Sequence, residues 1–139
     1  MASDVIRVGL VGAGNNTREK HIPGLQAIEG VEIVSVCNRS RGSSAHVAAT
    51  YHIPTIYDNW RELVDNSDTD AIVIGTWPNL HHPITLAALA AGKHVLCEAR
   101  MASNAVEAHE MLQAAIARPD LIAQIVPAPV TLRVDKTVK

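Results

Sequence analysis

An aliphatic run that empties into a glycine turn constrains this chain more than any other stretch. Val5-Ile6-Arg7-Val8-Gly9-Leu10-Val11 is rich enough in branched residues for a strand covered on both faces, and Gly12-Ala13-Gly14-Asn15-Asn16-Thr17 follows at once. Strands buried on both faces belong to parallel sheets flanked by helices. Gly12 is expected to allow a tight turn, and Gly14 to let the backbone approach a bound pyrophosphate. A helix opening near Asn15 or Asn16, with an Asn as its cap, would aim free N–H groups and the positive end of its dipole at that anion. The third glycine of the G-x-G-x-x-G spacing is replaced by Thr17, which is expected to hold helix and strand further apart.

With 139 residues the chain has room for one domain and one sizeable core. Its apolar fraction of 47% contains no Phe, so Val, Ile, Leu and Ala must fill that core. A net charge of -2 with scattered Lys and Arg offers no basic face to nucleic acid, and no apolar run reaches the length of a membrane span. The opening Met-Ala-Ser-Asp has no basic, apolar leader, which predicts a cytoplasmic protein. Cys37 and Cys97 form no C-x-x-C and are expected to be reduced, buried thiols.

The remaining chain alternates strand and helix. A helix is expected from Thr17 to Ile28, kinked at Pro23 and closed by Gly30. Val31 to Cys37 is the second strand. Ser43 or Ser44 is expected to cap a helix through Tyr51, followed by a short strand at Thr55-Ile56-Tyr57. Asn59 to Glu62 and Asn104 to Glu107 each have capping-box spacing and announce further helices. Asp70 to Gly75, Lys93 to Cys97 and Leu121 to Val126 complete the strands. Pro83 suits the first turn of a helix that Gly92 ends. Alternation of this kind predicts an α/β fold, a doubly wound parallel sheet of about six strands in the Rossmann-type order 3-2-1-4-5-6. The dinucleotide-binding domain is expected to span 1–126, and 127–139 to be an exit segment toward a second, substrate domain that the chain does not contain.

In such a sheet the ligand lies beyond the carboxyl ends of the strands, where strand order reverses. Beyond the glycine turn, the second strand ends at Asn38-Arg39-Ser40-Arg41, where an acidic residue would hold the ribose hydroxyls of NAD. Asn38 removes that carboxylate, while Arg39 and Ser40, with Arg41 beside them, supply donors for a 2'-phosphate, so NADP is favoured over NAD. The next strand end carries Thr76, Trp77, His81 and His82. Trp77 has packing over the sheet edge as its plain alternative, and His82 a helix cap beside Pro83. No second ligand falls at i+3 or i+4 from either His, so no metal site is expected. Glu98-Ala99-Arg100 ends the following strand, where a carboxylate and a guanidinium either meet the nicotinamide side or pair with each other.

Taken together, these residues resemble the N-terminal domain of the glucose-fructose oxidoreductase / inositol dehydrogenase family, Gfo/Idh/MocA. The resemblance rests on Val8 to Gly14, His21-Ile22-Pro23, Gly30 to Val34, Thr76 with His81, and above all Ala87-Ala88-Leu89-Ala90-Ala91-Gly92-Lys93-His94-Val95-Leu96-Cys97-Glu98. It implies an NAD(P)-dependent oxidoreductase acting on sugars, cyclitols and related alcohols, with substrate and oligomer contacts from a second domain. It also implies that Gly12, Gly14, Asn15 and Asn16 touch pyrophosphate, Asn38 to Arg41 the adenosine ribose, and Thr76, Trp77 and His81 the nicotinamide side, next to which the strand order already places Glu98. Two departures stand out. The family's Glu-Lys-Pro signature is Glu98-Ala99-Arg100 here, and its Thr-Pro-Asn stretch has Trp77 and Pro78 in the Pro and Asn places. Arg100 is a replacement cation able to position a substrate but not to release a proton as Lys does.

Two other classes compete. A standalone nucleotide-binding or redox-sensing module would explain the missing lysine. A methyltransferase using S-adenosylmethionine shares the strand and glycine turn, but it calls for acids where Val11 and Asn38 stand.

Overall fold

The computed structural model describes residues 5–127. Six parallel strands, β1 (Ile6–Val11), β2 (Val31–Cys37), β3 (Thr55–Ile56), β4 (Ala71–Ile74), β5 (His94–Cys97) and β6 (Ala123–Ile125), are ordered β3-β2-β1-β4-β5-β6. This is the expected doubly wound sheet, with its order reversing at β1. Register sets the site: Val11 lies level with Cys37 on one side and Ile74 on the other, and Ile74 with Cys97. Gly12, Asn38, Gly75 and Glu98 therefore leave the sheet along one edge. The exit segment expected over 127–139 lies, after Pro127, outside the described residues.

Among the described residues five α-helices surround the sheet: α1 (Ile22–Gln26), α2 (Arg41–Tyr51), α3 (Trp60–Asp65), α4 (Pro78–Ala90) and α5 (Ala105–Ile116). The two-residue period of the strands sends Ile72 and Ile74 into a core with Leu63, Ile84 and Leu89, and Val73 to the opposite face with Val8, Leu10, Val36 and Val47. Each such side chain, fully buried, contributes about 1.5–3 kcal/mol relative to exposure. Helices α1 and α2 pack on β2, α2 also on β3, whereas α4 packs on β4 and β5 with α3 and α5 beside it. A hollow of about 300 Å³ lined by Val8, Leu25, Ala71, Val73, Leu96 and Ile122 remains on the sheet.

Several element boundaries differ from expectation for identifiable reasons. The helix after the glycine turn is already wound at Asn15 and Asn16 and widens to a π-helical turn, Thr17–His21, in which the Ile22 N–H bonds Thr17 O, before α1 begins. Pro23 follows directly, without an N–H to continue the narrower ladder. Helix α2 is capped by Ser40, whose Oγ accepts from the Ser43 N–H at 3.3 Å, and not by Ser43 or Ser44. Pro78, not Pro83, occupies the first turn of α4; Pro83 sits inside the helix. Gly92, at φ +77°, ends α4 as expected: its N–H bonds Leu89 O and the Lys93 N–H bonds Ala88 O, a Schellman closure. Asn104 accepts from the Glu107 N–H, as its capping-box spacing predicts, whereas Asn59 accepts from Arg61 instead of Glu62.

The amino edge of the sheet is clamped by charge. Arg7 forms a bidentate pair with Asp70, 2.9 Å from Nε to Oδ2 and 2.8 Å from Nη2 to Oδ1, and holds its carboxyl below the usual carboxylate range. Lys93, only 8% exposed, donates to the carbonyls of Asn66, at 2.8 Å, and Thr69.

Both cysteines are free and buried, at the ends of β2 and β5. Burial pushes the Cys97 thiol from 9.0 up to about 12. An unfolded chain loses this proton near 9.0 while the folded chain keeps it, so this contribution to stability is complete below 9.0 and is lost as pH rises toward about 12. Unfolding by urea at pH 8 and pH 10.5 should show a smaller loss in Cys97→Ala than in the parent chain. An identical loss in both would refute the assignment.

Candidate nucleotide-binding site

The glycine turn is held from both sides. Gly12 adopts φ +85°, and its N–H continues the β1–β2 ladder to Cys37 O at 2.9 Å. A Cβ on Gly12 would lie 2.7 Å from the backbone of Gly75 and Thr76, so this position requires glycine for space as well as conformation. A Cβ on Gly75 would lie 2.2 Å from Thr17 Oγ1 and 2.5 Å from Gly12 O. The expectation that Thr17 separates helix and sheet is thus overturned: Thr17 is 1% exposed and packs directly onto Gly75. The glycine at this close approach stands just after β4, not on the helix. Above Gly14, in contrast, the one atom of the described residues near an added Cβ is Gly75 O at 3.9 Å, an ordinary van der Waals separation.

The first bond of the following helix runs from the Arg18 N–H to Gly14 O at 3.0 Å. The N–H groups before it have no carbonyl one turn back, which is what makes a helix start a site for an anion. Neither Asn caps the helix. Asn15 Oδ1 accepts from Arg18, and Asn16 Nδ2 donates to Glu98 Oε1.

Asn38 bonds the protein at both ends of its amide. Its Oδ1 accepts from the Ala13 N–H at 2.6 Å, its Nδ2 donates to Ser43 Oγ at 3.0 Å, and its own N–H donates to Ser44 Oγ at 2.9 Å. Ser40 is the cap of α2, and Arg41 pairs with Asp58 at 2.8 Å. Arg39 is exposed, and among the described residues its guanidinium makes no hydrogen bond or ion pair.

At the next strand ends, His81 is fully buried, with Nδ1 2.7 Å from Arg100 O and Nε2 3.0 Å from Thr76 O. It staples the loop after β4 to the loop after β5. Thr76 donates its hydroxyl to Trp77 O at 3.2 Å. Trp77 is 78% exposed, so it does not pack over the sheet edge. His82 pairs with Glu110 of α5 at 2.6 Å rather than capping a helix. Glu98 and Arg100 do not pair with each other: Glu98 binds His21 and Asn16, and its Oε2 accepts from the Ala99 N–H at 3.2 Å. The Arg100 side chain is exposed. His21 is the site residue that sequence spacing missed, because its partner lies 77 residues away. Among the described residues no three His, Cys, Asp or Glu side chains gather as a metal cluster.

The carboxyl edge of the sheet therefore carries a glycine turn and the start of a helix after β1, an exposed Arg after β2 and a carboxylate after β5. A family model described as an oxidoreductase family with an NAD-binding Rossmann fold matches residues 6–124. The chain belongs to the Gfo/Idh/MocA oxidoreductase family. It is 40% identical over 109 residues to a 1,5-anhydro-D-fructose reductase of Ensifer adhaerens, covering 78% of this chain and 32% of that protein. It is 33% identical to an inositol 2-dehydrogenase/D-chiro-inositol 3-dehydrogenase of Shouchella clausii, covering 86% and 35% respectively. Myo-inositol 2-dehydrogenase from Lactobacillus plantarum superimposes with a TM-score of 0.81 at 27% identity, over 88% of this chain and 36% of that one. A variant of a 3-ketoreductase from Actinomadura kijaniata, solved with TDP-benzene and NADP, superimposes at 0.79 and 25% identity, over 88% and 38%. The chain spans about a third of the length of these Gfo/Idh/MocA relatives. Among its described residues no helix is long and apolar enough to cross a membrane.

Proposed function

We propose that this chain is the cofactor half of an enzyme that moves hydride between NADP or NAD and a sugar, cyclitol or related alcohol, and that by itself it holds the nucleotide without turnover. The observation that carries the reading is the uncrowded backbone at Gly14, next to the N–H groups of a helix start and closed below by the Gly12–Gly75 contact. A diphosphate fits such a cradle: backbone donors lie beside it, and no described side chain crowds it. The bound nicotinamide supplies the hydride acceptor or donor. The chain's own residues bind and orient. Gly12, Gly14 and the amides of Asn15 and Asn16 cradle the diphosphate, Arg39 with Ser40 faces the adenosine ribose, and Thr76, Trp77 and Glu98 border the nicotinamide side, with His81 fixing their loops.

Proton transfer to or from the substrate hydroxyl is assigned outside this chain. Ala99 carries no ionisable group, and the Arg100 guanidinium does not release its proton at neutral pH. A second domain beyond 127–139 is part of the same proposal, as are a cytoplasmic location and oligomer contacts made mainly by that domain. The relatives named above include a sugar reductase and an inositol dehydrogenase, which supports the substrate class.

NADP is favoured over NAD because Arg39 is a cation unengaged among the described residues and position 38 is Asn, with no carboxylate to repel a 2'-phosphate. Calorimetric titration should show tighter binding of NADP than of NAD. Arg39→Ala should weaken NADP about tenfold, the worth of one charge-assisted hydrogen bond, and leave NAD unchanged. Unchanged NADP affinity in that variant would remove the assignment, and dehydrogenase turnover by the chain alone would overturn the division of labour.

A further inference from the structure

We infer that Asn38 is a positioning residue that locks the pyrophosphate turn to the first turn of α2, acting on nucleotide affinity through Ala13 and Ser43 rather than by grasping the ribose. The inference rests on the nucleotide-binding reading for what the two turns hold. It stands on its own for how they are joined.

The β1–β2 ladder runs out at this point. Val11 pairs with Cys37, and the Gly12 N–H still reaches Cys37 O at 2.9 Å. At φ +85° the chain then turns away from β2, and the next donor, the N–H of Ala13, belongs to a residue only 6% exposed. A buried donor without a partner is costly. Asn38 Oδ1, 2.6 Å from it, takes the place of the missing strand carbonyl. The other end of the same amide donates to Ser43 Oγ at 3.0 Å, and the Asn38 N–H donates to Ser44 Oγ at 2.9 Å, which in turn donates to Ser40 O at 3.2 Å. One short side chain thereby ties the glycine turn to the capped start of α2.

A direct ribose ligand needs a donor and an acceptor turned outward together. In Asn38 the Oδ1 is taken by the Ala13 N–H and one of the two Nδ2 hydrogens by Ser43 Oγ, so a ribose would compete with the bonds that hold the turn. Recognition at the adenosine ribose then falls to Arg39, the neighbour with unengaged donors, while Asn38 sets where Arg39 and the glycine turn stand relative to each other. Loss of the lock should weaken every dinucleotide alike, because the diphosphate turn is common to all of them. Loss of a ribose ligand should discriminate between NAD and NADP.

The test titrates NAD and NADP onto the 139-residue chain and its Asn38→Ala and Asn38→Asp variants, and follows exchange of the Ala13 amide by NMR without nucleotide. Asn38→Ala should weaken both nucleotides by the same factor, about tenfold, and speed Ala13 exchange by at least about tenfold. Asn38→Asp should restore NAD affinity to within about twofold and slow Ala13 exchange again, since a carboxylate oxygen accepts from Ala13 and the Ser43 hydroxyl turns to donate. Weakening of one nucleotide only, or Ala13 exchange unchanged by Asn38→Ala, overturns the inference. A parent chain that binds neither nucleotide refutes the nucleotide-binding reading, while the exchange comparison still decides the lock. Should Asn38→Ala fail to fold, Asn38→Asp decides: parental protection of Ala13 upholds the lock, and lost protection overturns it.

Discussion

Gly75→Ala should be among the most damaging single-methyl substitutions in this chain, costing about 3 kcal/mol and abolishing nucleotide binding with it. The added carbon would stand 2.2 Å from Thr17 Oγ1 and 2.5 Å from Gly12 O. Thr17 is 1% exposed and has little room to withdraw, and Gly12 O is backbone within the turn itself. Relief requires the helix to move off the sheet, which displaces the N–H groups that face the diphosphate. Thr17→Gly puts the third glycine of the G-x-G-x-x-G spacing back on the helix and removes one of the two clashes. The double variant should therefore recover part of the loss, and a double-mutant cycle should show coupling above about 0.5 kcal/mol. Unfolding by urea and nucleotide titration supply the measurements. A Gly75→Ala chain as stable as its parent would show that the contact is not as close as described.

His81→Ala should cost about 3 kcal/mol as well, by a different route. The ring is fully buried, so its removal leaves a cavity, and its nitrogens face Thr76 O at 3.0 Å and Arg100 O at 2.7 Å. Without the ring the loop after β4 loses its tie to the loop after β5. Proteolysis should therefore cut earliest beside Trp77 and Arg100 in the variant, at protease concentrations that leave the parent intact. His81→Gln, which keeps an amide donor at similar reach, should recover a fraction of the stability. Parental stability in His81→Ala would show that His81 does not hold the two loops together.

The sheet was legible because its signal is local. Runs such as Val31 to Cys37 and Asp70 to Gly75 are continuous, branched and bounded by polar residues, and their alternation with helices admits few topologies. The Schellman end at Gly92 and the Asn104 cap were legible for the same reason, since each joins residues within a turn. Contacts between strand ends were not. Nothing in the spacing of Thr17 and Gly75 says that they share one gap, nor that Asn38 completes the ladder for Ala13, nor that His21 crosses to Glu98. Those contacts depend on register, which brings Val11, Cys37, Ile74 and Cys97 level only once the sheet has formed. Proline was misread because both Pro78 and Pro83 lie near a helix start, and only the fold decides which one begins it. The glycine turn, the Gfo/Idh/MocA resemblance and the oxidoreductase class were visible from the residues themselves, and the family match over 6–124 agrees with them.

The clamps at the opposite edge of the sheet have a bearing on how such a domain changes over time. Arg7 with Asp70, and Lys93 with the carbonyls of Asn66 and Thr69, fix the starts of β1, β4 and β5 without using any group at the carboxyl ends. Foldedness and chemistry are thereby written at separate ends of the same strands. A loop such as Thr76 to Asn79 or Glu98 to Arg100 can be rewritten one residue at a time while the far anchors hold each strand in register. Ala99 and the exposed indole of Trp77 both sit in loops of that kind, at the strand ends away from the clamps.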